Sequence, residues 1–477
     1  MPEEFDAIVV GAGEAGSVVA SRAVTSGHRV AMVYREPYGS TCLNTGCMPS
    51  KFLIHRARIA HVTRTATRFH VEATVTRVDL GAIVREKREI VAEHRGQSLA
   101  RAREAEQDGQ LMLVEGEARF LSAHNVAVAG RTLRADRIFI ATGMRPLIPD
   151  IPGLEDGKAL TSESLMELTE LPAHLVVIGG GYVACELGQA FRRFGSAVTI
   201  LQRAAHLLPN EEPDVSTILE RAFAAEGIGL LLGHSAVRVE WLAGAVRVIA
   251  RSEAGTEEVI EGSHVLVAAG RRPNTDSLAL DVAGIEIDEK GHVKVDDRLE
   301  TTAPGIWAIG DVNGRQPFTR VCQEEGKVAY ANAFESARLT VGRDSLGHAV
   351  FTDPEIGSVG LTEQQARDRG MDVAAGLVSF DQIAKAELIG ETAGLIKYVV
   401  ERSSRRLLGC HVIGPNAADL VYTGILVMRR GGTLDEIAKA VGIFPTLQEG
   451  MEGAGRGLLR KLAPDEVRGP LVAAISE

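Results

Sequence analysis

Short apolar runs alternate with stretches of helical periodicity along most of the chain, and one such alternation occurs twice. Residues 5–10 hold the run Ala7-Ile8-Val9-Val10, which predicts a buried strand. Gly11-Ala12-Gly13-Glu14-Ala15-Gly16 follows. A helix carrying Val18, Val19, Ala20 and Ala23 then runs to about Gly27, and residues 28–34 form the next strand. Further on, Leu175-Val176-Val177-Ile178 predicts a strand and Gly179-Gly180-Gly181-Tyr182-Val183-Ala184 opens a helix reaching about Phe194. Gly195 ends it, and 197–201 is a strand again. Each unit is a βαβ with its glycines at the first turn. Glycines permit that turn and let a pyrophosphate approach the backbone at a helix N-terminus. One such fingerprint is weak. Two, each in strand–turn–helix–strand context, predict two dinucleotide sites.

Two further apolar runs resemble each other: Ile138-Phe139-Ile140-Ala141-Thr142-Gly143 and Val265-Leu266-Val267-Ala268-Ala269-Gly270. Each ends in small residues and is followed by a proline, Pro146 or Pro273. They read as chain crossings between nucleotide-binding domains. Gly305-Ile306-Trp307-Ala308-Ile309-Gly310-Asp311 predicts a strand that delivers Asp311 to its C-terminal end, where α/β proteins bind ligands. From about residue 351 the pattern changes. Strands at 395–401 and 408–413 alternate with helices at 363–369, 418–430 and 434–441, which predicts an α+β domain without a nucleotide motif. Arg101-Ala102-Arg103-Glu104 belongs to the solvated face of an amphipathic helix over 86–108.

Composition narrows the class. A chain of 477 residues is too long for one core, and about two to four domains are expected. A net charge of −11 argues against nucleic acid as the main partner. No apolar stretch is long enough to span a bilayer. The acidic start Met1-Pro2-Glu3-Glu4 is not a signal peptide, so the expected setting is a reducing cytoplasm. Of the 5 cysteines, Cys185, Cys322 and Cys410 stand alone and read as small buried apolar residues. Cys42 and Cys47 form the one close pair. Such a pair suggests catalysis or metal rather than a structural staple. A zinc site needs about four ligands, and no second pair of suitable spacing exists, so metal is the weaker reading.

With these motifs in order, the sequence resembles the class I pyridine nucleotide–disulfide oxidoreductases, which include dihydrolipoamide dehydrogenase, glutathione reductase and mercuric reductase. The resemblance covers nearly the whole chain. It rests on Gly11/Gly13/Gly16, the run from Gly39 to Lys51 containing Cys42-Leu43-Asn44-Thr45-Gly46-Cys47, and Ala141-Thr142-Gly143. It continues through Gly179/Gly181/Ala184, Gly270-Arg271-Arg272-Pro273-Asn274, Gly310-Asp311 and the stretch from Phe351 to Thr362. It implies an α/β protein with two Rossmann-like domains, for FAD and NADPH, and a C-terminal α+β dimerisation domain. Residues 1–149 and 272–345 would bind FAD, 150–271 would bind NAD(P)H, and 346–477 would form a homodimer whose active site uses both chains. Cys42 and Cys47 would be a redox-active disulfide, with Cys47 facing the flavin and Cys42 facing a small-molecule electron acceptor. Thr41, Lys51, Thr142 and Asp311 would join the glycines at FAD, with Asp311 on the ribityl chain. Lys51 and Glu186 match the family's ion pair beside the flavin, and Tyr182 an aromatic that covers it until the nicotinamide arrives. Helical character after Met48-Pro49 puts Cys47 close to a helix N-terminus, whose dipole favours its thiolate. At the end of the second unit's second strand, Gln202 occupies the position of an acid that would hold a ribose 2′-OH, and Arg203 follows. That favours the 2′-phosphate of NADPH, with NADH the lesser reading.

Two departures qualify the resemblance. Tyr34 stands where the family has an acid for the adenosine ribose, eight residues before Cys42, so that contact shifts to Glu36. More consequential is Gly442-Ile443-Phe444-Pro445-Thr446-Leu447-Gln448-Glu449. The family has a His–Pro pair here, and a Glu five residues on that holds the His. Phe444 replaces the His, Glu449 remains, and the last histidine of the chain is His411. A phenyl ring carries no proton, so turnover of glutathione disulfide or lipoamide should be poor. Mercuric reductase also lacks this His, and the chain resembles it most here. That enzyme, however, uses a cysteine pair near its C-terminus, and no cysteine follows Cys410. The acceptor is then a metal ion, a quinone-like electrophile, or an unusual disulfide or persulfide. Two other readings stand beside it. One is a carbon–sulfur cleaving or carboxylating relative with Phe at the His position, and the other is a slow redox sensor. Finally, Lys51, His55, Arg56, Arg58, His61, Arg64, Arg68 and His70 give the helix after the cysteines a basic face that could favour an anionic substrate.

Overall fold

The structure, a computed structural model, describes residues 1–154 and 157–463. The expected tail Leu471 to Glu477 lies outside them. A five-stranded, all-parallel sheet forms the first unit, in the order Ile306–Ala308, Ile138–Ile140, Ala7–Val10, Val30–Tyr34, Leu111–Glu115. Ala7–Val10 is central and wholly buried, with Val9 facing Met32 on one side and Phe139 on the other. Burial on both faces explains why these strands read as unbroken apolar runs. Phe5 and the residues before it depart from the predicted strand. Glu3–Glu4 pairs with Arg131–Arg134 at the edge of a small second sheet, and the Phe5 N–H bonds the Arg134 carbonyl.

The second unit repeats the plan with four parallel strands, ordered Gly229–Leu232, Ala197–Gln202, His174–Ile178, His264–Val267. An antiparallel meander, His234–Leu242, Ala245–Ser252 and Glu257–Gly262, packs on it. The chain enters and leaves through segments that pair with each other. Met144–Pro146 and Arg271–Pro273 form an antiparallel ribbon, pinned by Arg145 on the Asn274 Oδ1 and on Asp276. The third unit is an antiparallel sheet ordered His348–Val350, Glu355–Gly360, Leu407–Gly414, Leu395–Glu401, Val373–Ser379. The helix expected at 418–430 appears as two, Ala417–Leu420 and Tyr422–Arg429.

Two helices differ from expectation in ways that matter for the site. The helix predicted at 86–108 starts earlier, at Leu80, where the Asp79 carboxylate accepts the Ala82 N–H at 2.9 Å. Thr319–Phe334 is a helix that periodicity did not reveal, packed against Glu14–Thr25. Its Glu325 is buried and accepts from the Gly310 N–H at 2.7 Å, the Asn313 Nδ2 at 2.8 Å and the Arg343 guanidinium at 3.2 Å. That carboxylate holds the turn bearing Asp311 against the helix.

Candidate active site

Both glycine turns are shaped for close approach. Gly11 has φ +119°, and a Cβ there would meet the Ala141 carbonyl oxygen at 2.2 Å. Gly179, φ +113°, stands in the same relation to Ala268, at 2.4 Å. The helices that follow, Glu14–Thr25 and Tyr182–Phe194, begin after Gly13 and Gly181 with no side chain capping either N-terminus. Their first N–H groups are thus free to receive an anion. A Cβ at Gly181 would meet nothing within 4 Å. The Thr142 Oγ1 is buried without a partner, beside Gly143, whose carbonyl accepts the Asn274 N–H at 3.0 Å. An orphaned hydroxyl next to an uncapped phosphate-type turn fits a bound dinucleotide. Asp311 lies in the turn Gly310–Asn313 and accepts the Cys322 thiol at 3.4 Å. Cys322 is therefore more than apolar filling: it orients a carboxylate of the site.

The cysteine turn is built by capping. Ser40 accepts the Leu43 N–H at 3.1 Å and so starts the short helix Thr41–Asn44, which carries Cys42. Gly46 then caps Cys47–Thr65, so Cys47 is the first helical residue and lies at the positive end of its dipole. Both cysteines are free thiols, Cys42 half-buried and Cys47 exposed, with a hydrogen bond between them. The hydrogen bond from Cys42, that from Thr319 and the charge of Lys51 bring the Cys47 thiol down to about 6. The same bond, together with burial, pushes Cys42 far above the ordinary thiol value. The Thr319 Oγ1 lies 3.5 Å from the Cys47 sulfur. Thr319 was not singled out from sequence, because its helix gave no periodic signal.

Lys51, one turn beyond Cys47, bonds Glu186 at 2.8 Å. The Glu186 side chain is 5% exposed and that of Lys51 34%. The other Glu186 oxygen accepts the Phe351 N–H at 2.9 Å, and the Lys51 ammonium sits 4.7 Å above the Phe351 ring. The pair thus joins all three units: the Cys47 helix, the Tyr182–Phe194 helix and Phe351, the residue after the strand His348–Val350. Tyr182 packs on Phe318 at 6.0 Å, and Phe318 stacks on His348 at 5.0 Å. Gln202 is buried, its side chain lying against Gly180, while Arg203 is exposed and makes no hydrogen bond or ion pair among the described residues. The Gly270 carbonyl accepts the Leu147 N–H at 3.0 Å in the crossing ribbon.

Other predicted residues do not converge on the cysteines within one chain. Phe444 is 74% exposed, with Val441 and Ile443 exposed beside it. Glu449 accepts the Lys385 N–H at 3.4 Å. Glu36 accepts the Tyr38 N–H at 3.2 Å, turning back on its own loop. The basic face after Cys47 is largely consumed by partners: Arg56 pairs with Glu86, His61 lies 3.8 Å from Glu226, and Arg68 pairs with Glu391. His55 and Arg58 of that face stay exposed. Among the described residues no group of three or more His, Cys, Asp or Glu could hold a metal ion, and no helix is long and apolar enough to cross a membrane.

Comparison with known proteins gives a consistent result. A family model described as pyridine nucleotide-disulphide oxidoreductase matches residues 5–326, and the dimerisation domain of the same group matches 347–454. A mercuric reductase of Lysinibacillus sphaericus is 34% identical, over 94% of this chain and 82% of that protein. A dihydrolipoyl dehydrogenase of Geobacillus stearothermophilus is also 34% identical, over 94% of this chain and 96% of that protein. Among solved structures, the Cu(II) complex of the HOCl-induced flavoprotein disulfide reductase RclA from Escherichia coli superposes with a TM-score of 0.85. It is 28% identical and covers 96% of this chain and 100% of that one.

Proposed function

The chain belongs to the pyridine nucleotide-disulphide oxidoreductase family of FAD-dependent enzymes, and from that premise we propose that it is an NADPH-dependent reductase of a thiophilic acceptor, a soft metal ion foremost. FAD, held by the Gly11–Gly16 turn, Thr142 and Asp311, would supply the relay of two electrons from nicotinamide to the cysteine pair. The remaining work falls to the chain itself. Lys51, fixed by Glu186, aligns the nicotinamide side and lends its charge to Cys47. Cys47 rests as a thiolate, and Cys42 is the thiol that meets the acceptor. Arg203, free at the strand end, would take the 2′-phosphate of NADPH. Two chains paired through residues 347–454 would bring Phe444 of each to the site of the other.

The observation that carries the reading is an intact, polarised dithiol in a chain whose sequence has Phe444 at the position of the family's proton donor. A disulfide acceptor releases a thiolate that must be protonated; a metal ion does not. Cu(II) on the RclA relative and Hg(II) in the mercuric reductases support a metal acceptor. The test is an NADPH oxidation screen against Cu(II), Hg(II), disulfides, persulfides and quinones. Metal turnover should exceed disulfide turnover, and Cys42→Ser should lower it by roughly 10³-fold or more. Equal activity of Cys42→Ser with the best acceptor would refute the proposal.

A further inference from the structure

Glu211 stands in the loop after the strand Ala197–Gln202, and this loop packs on the second glycine turn. The Leu208 N–H bonds the Gly180 carbonyl at 2.9 Å, and the Glu211 N–H bonds the Leu208 carbonyl at 2.9 Å. The Glu211 side chain is 7% exposed, and both of its oxygens reach across to the dimerisation unit. His348 Nε2 donates to one at 2.5 Å and the Ser358 hydroxyl to the other at 2.5 Å. These two donors face each other across the strand pair His348–Val350 and Glu355–Gly360. A buried carboxylate that loses a donor is costly, so the His348 ring is held in place. Its imidazole lies face to face with Phe318, at 5.0 Å and 16°. Phe318 in turn meets Tyr182 at 6.0 Å and 43°. Phe318 also precedes Thr319, which touches Cys47. Burial opposes a charge on His348, but Glu211 outweighs it and holds the imidazole above its ordinary pKa. A cationic ring over the Phe318 face attracts it electrostatically as well as by contact.

We propose that His348 is a positioning residue for the nicotinamide step: held by Glu211, it fixes the Phe318 ring as the stop against which Tyr182 rests. This rests on the NADPH-dependent reading above, in which Tyr182 covers the flavin until the nicotinamide arrives. On that reading the contact with Phe318 stabilises the covering position, and NADPH has to displace Tyr182 from it. The apparent affinity for NADPH is then reduced in proportion to the fraction of time that the ring stands open.

The test is anaerobic stopped-flow reduction of the FAD-loaded protein over a range of NADPH concentrations, which gives the Kd for NADPH separately from the limiting rate. Phe318→Leu removes the stop and leaves the His348–Glu211 pair whole. His348→Gln keeps a donor for Glu211 and removes the ring that backs Phe318. The Kd should fall about fivefold in Phe318→Leu and about threefold in His348→Gln, the scale of one aromatic pair. In a Tyr182→Ala background neither change should lower the Kd further, a dependence that a merely structural role for His348 would not produce. A Kd that is unchanged or raised in either single variant overturns the proposal, and so does a His348→Gln effect that persists without Tyr182. If NADPH does not reduce the wild-type flavin at all, the NADPH reading itself fails and the proposal falls with it.

Discussion

Cys47 and Cys42 are five residues apart and have opposite surroundings. Cys47 begins a long helix, has Thr319 at 3.5 Å, and is followed by Lys51 bound to a buried Glu186. Each partner favours its charged form. Cys42 sits on a one-turn helix whose capping Ser40 donates to Glu14, and Phe444, which matches the family's histidine position, is an exposed apolar side chain of the dimerisation domain. The comparison teaches that, on the proposed reading, electrons would enter through a buried charge pair built within one chain. On the same reading, their exit would lack the acid–base group that the family's histidine supplies.

Restoring the omitted group should erase the difference most. Phe444→His is expected to raise turnover of small disulfides by roughly 10²-fold, the lower end of what general acid–base catalysis contributes. Steady-state kinetics with glutathione disulfide and lipoamide check this. Weakening the inward face should act next. Lys51→Met leaves the Glu186 carboxylate buried with only the Phe351 N–H as partner, and breaking such a pair costs about 3 kcal/mol. The expected readouts are a lower thermal midpoint and slower flavin reduction by NADPH in stopped flow. A smaller effect concerns nucleotide choice. Arg203→Ala should raise the KM for NADPH about tenfold and spare NADH, because one charge-assisted contact to phosphate is worth about 1.5 kcal/mol.

Much of this was legible before any coordinates. The two glycine turns declared themselves because Gly11 and Gly179 occupy positive φ against a carbonyl, a demand other residues do not meet. The paired crossings showed in their proline-terminated apolar runs, since buried parallel strands lack a polar face. The Thr319–Phe334 helix was not legible. Its Glu325 is buried by partners 15, 12 and 18 residues away, so a charged residue sits where periodicity expects an apolar one. The same gap hid Thr319 and Gln323. The bonds that Glu14 accepts from Ser40 and Gln323 were equally silent, for those partners arrive from two other elements. The capping serine three residues before Leu43 is the one local signal that could have been read.

The central claim, that a polarised dithiol stands between nucleotide and acceptor, is tested most directly by anaerobic titration of FAD-loaded protein with NADPH across pH. The first two electrons should leave the flavin oxidised and produce a long-wavelength band from the Cys47 thiolate beside it. Because the Cys47 thiol is lowered to about 6, the band should persist above that pH and fade as pH falls through it. Bleaching of the flavin by the first two electrons, with no such band at pH 8, would contradict the account.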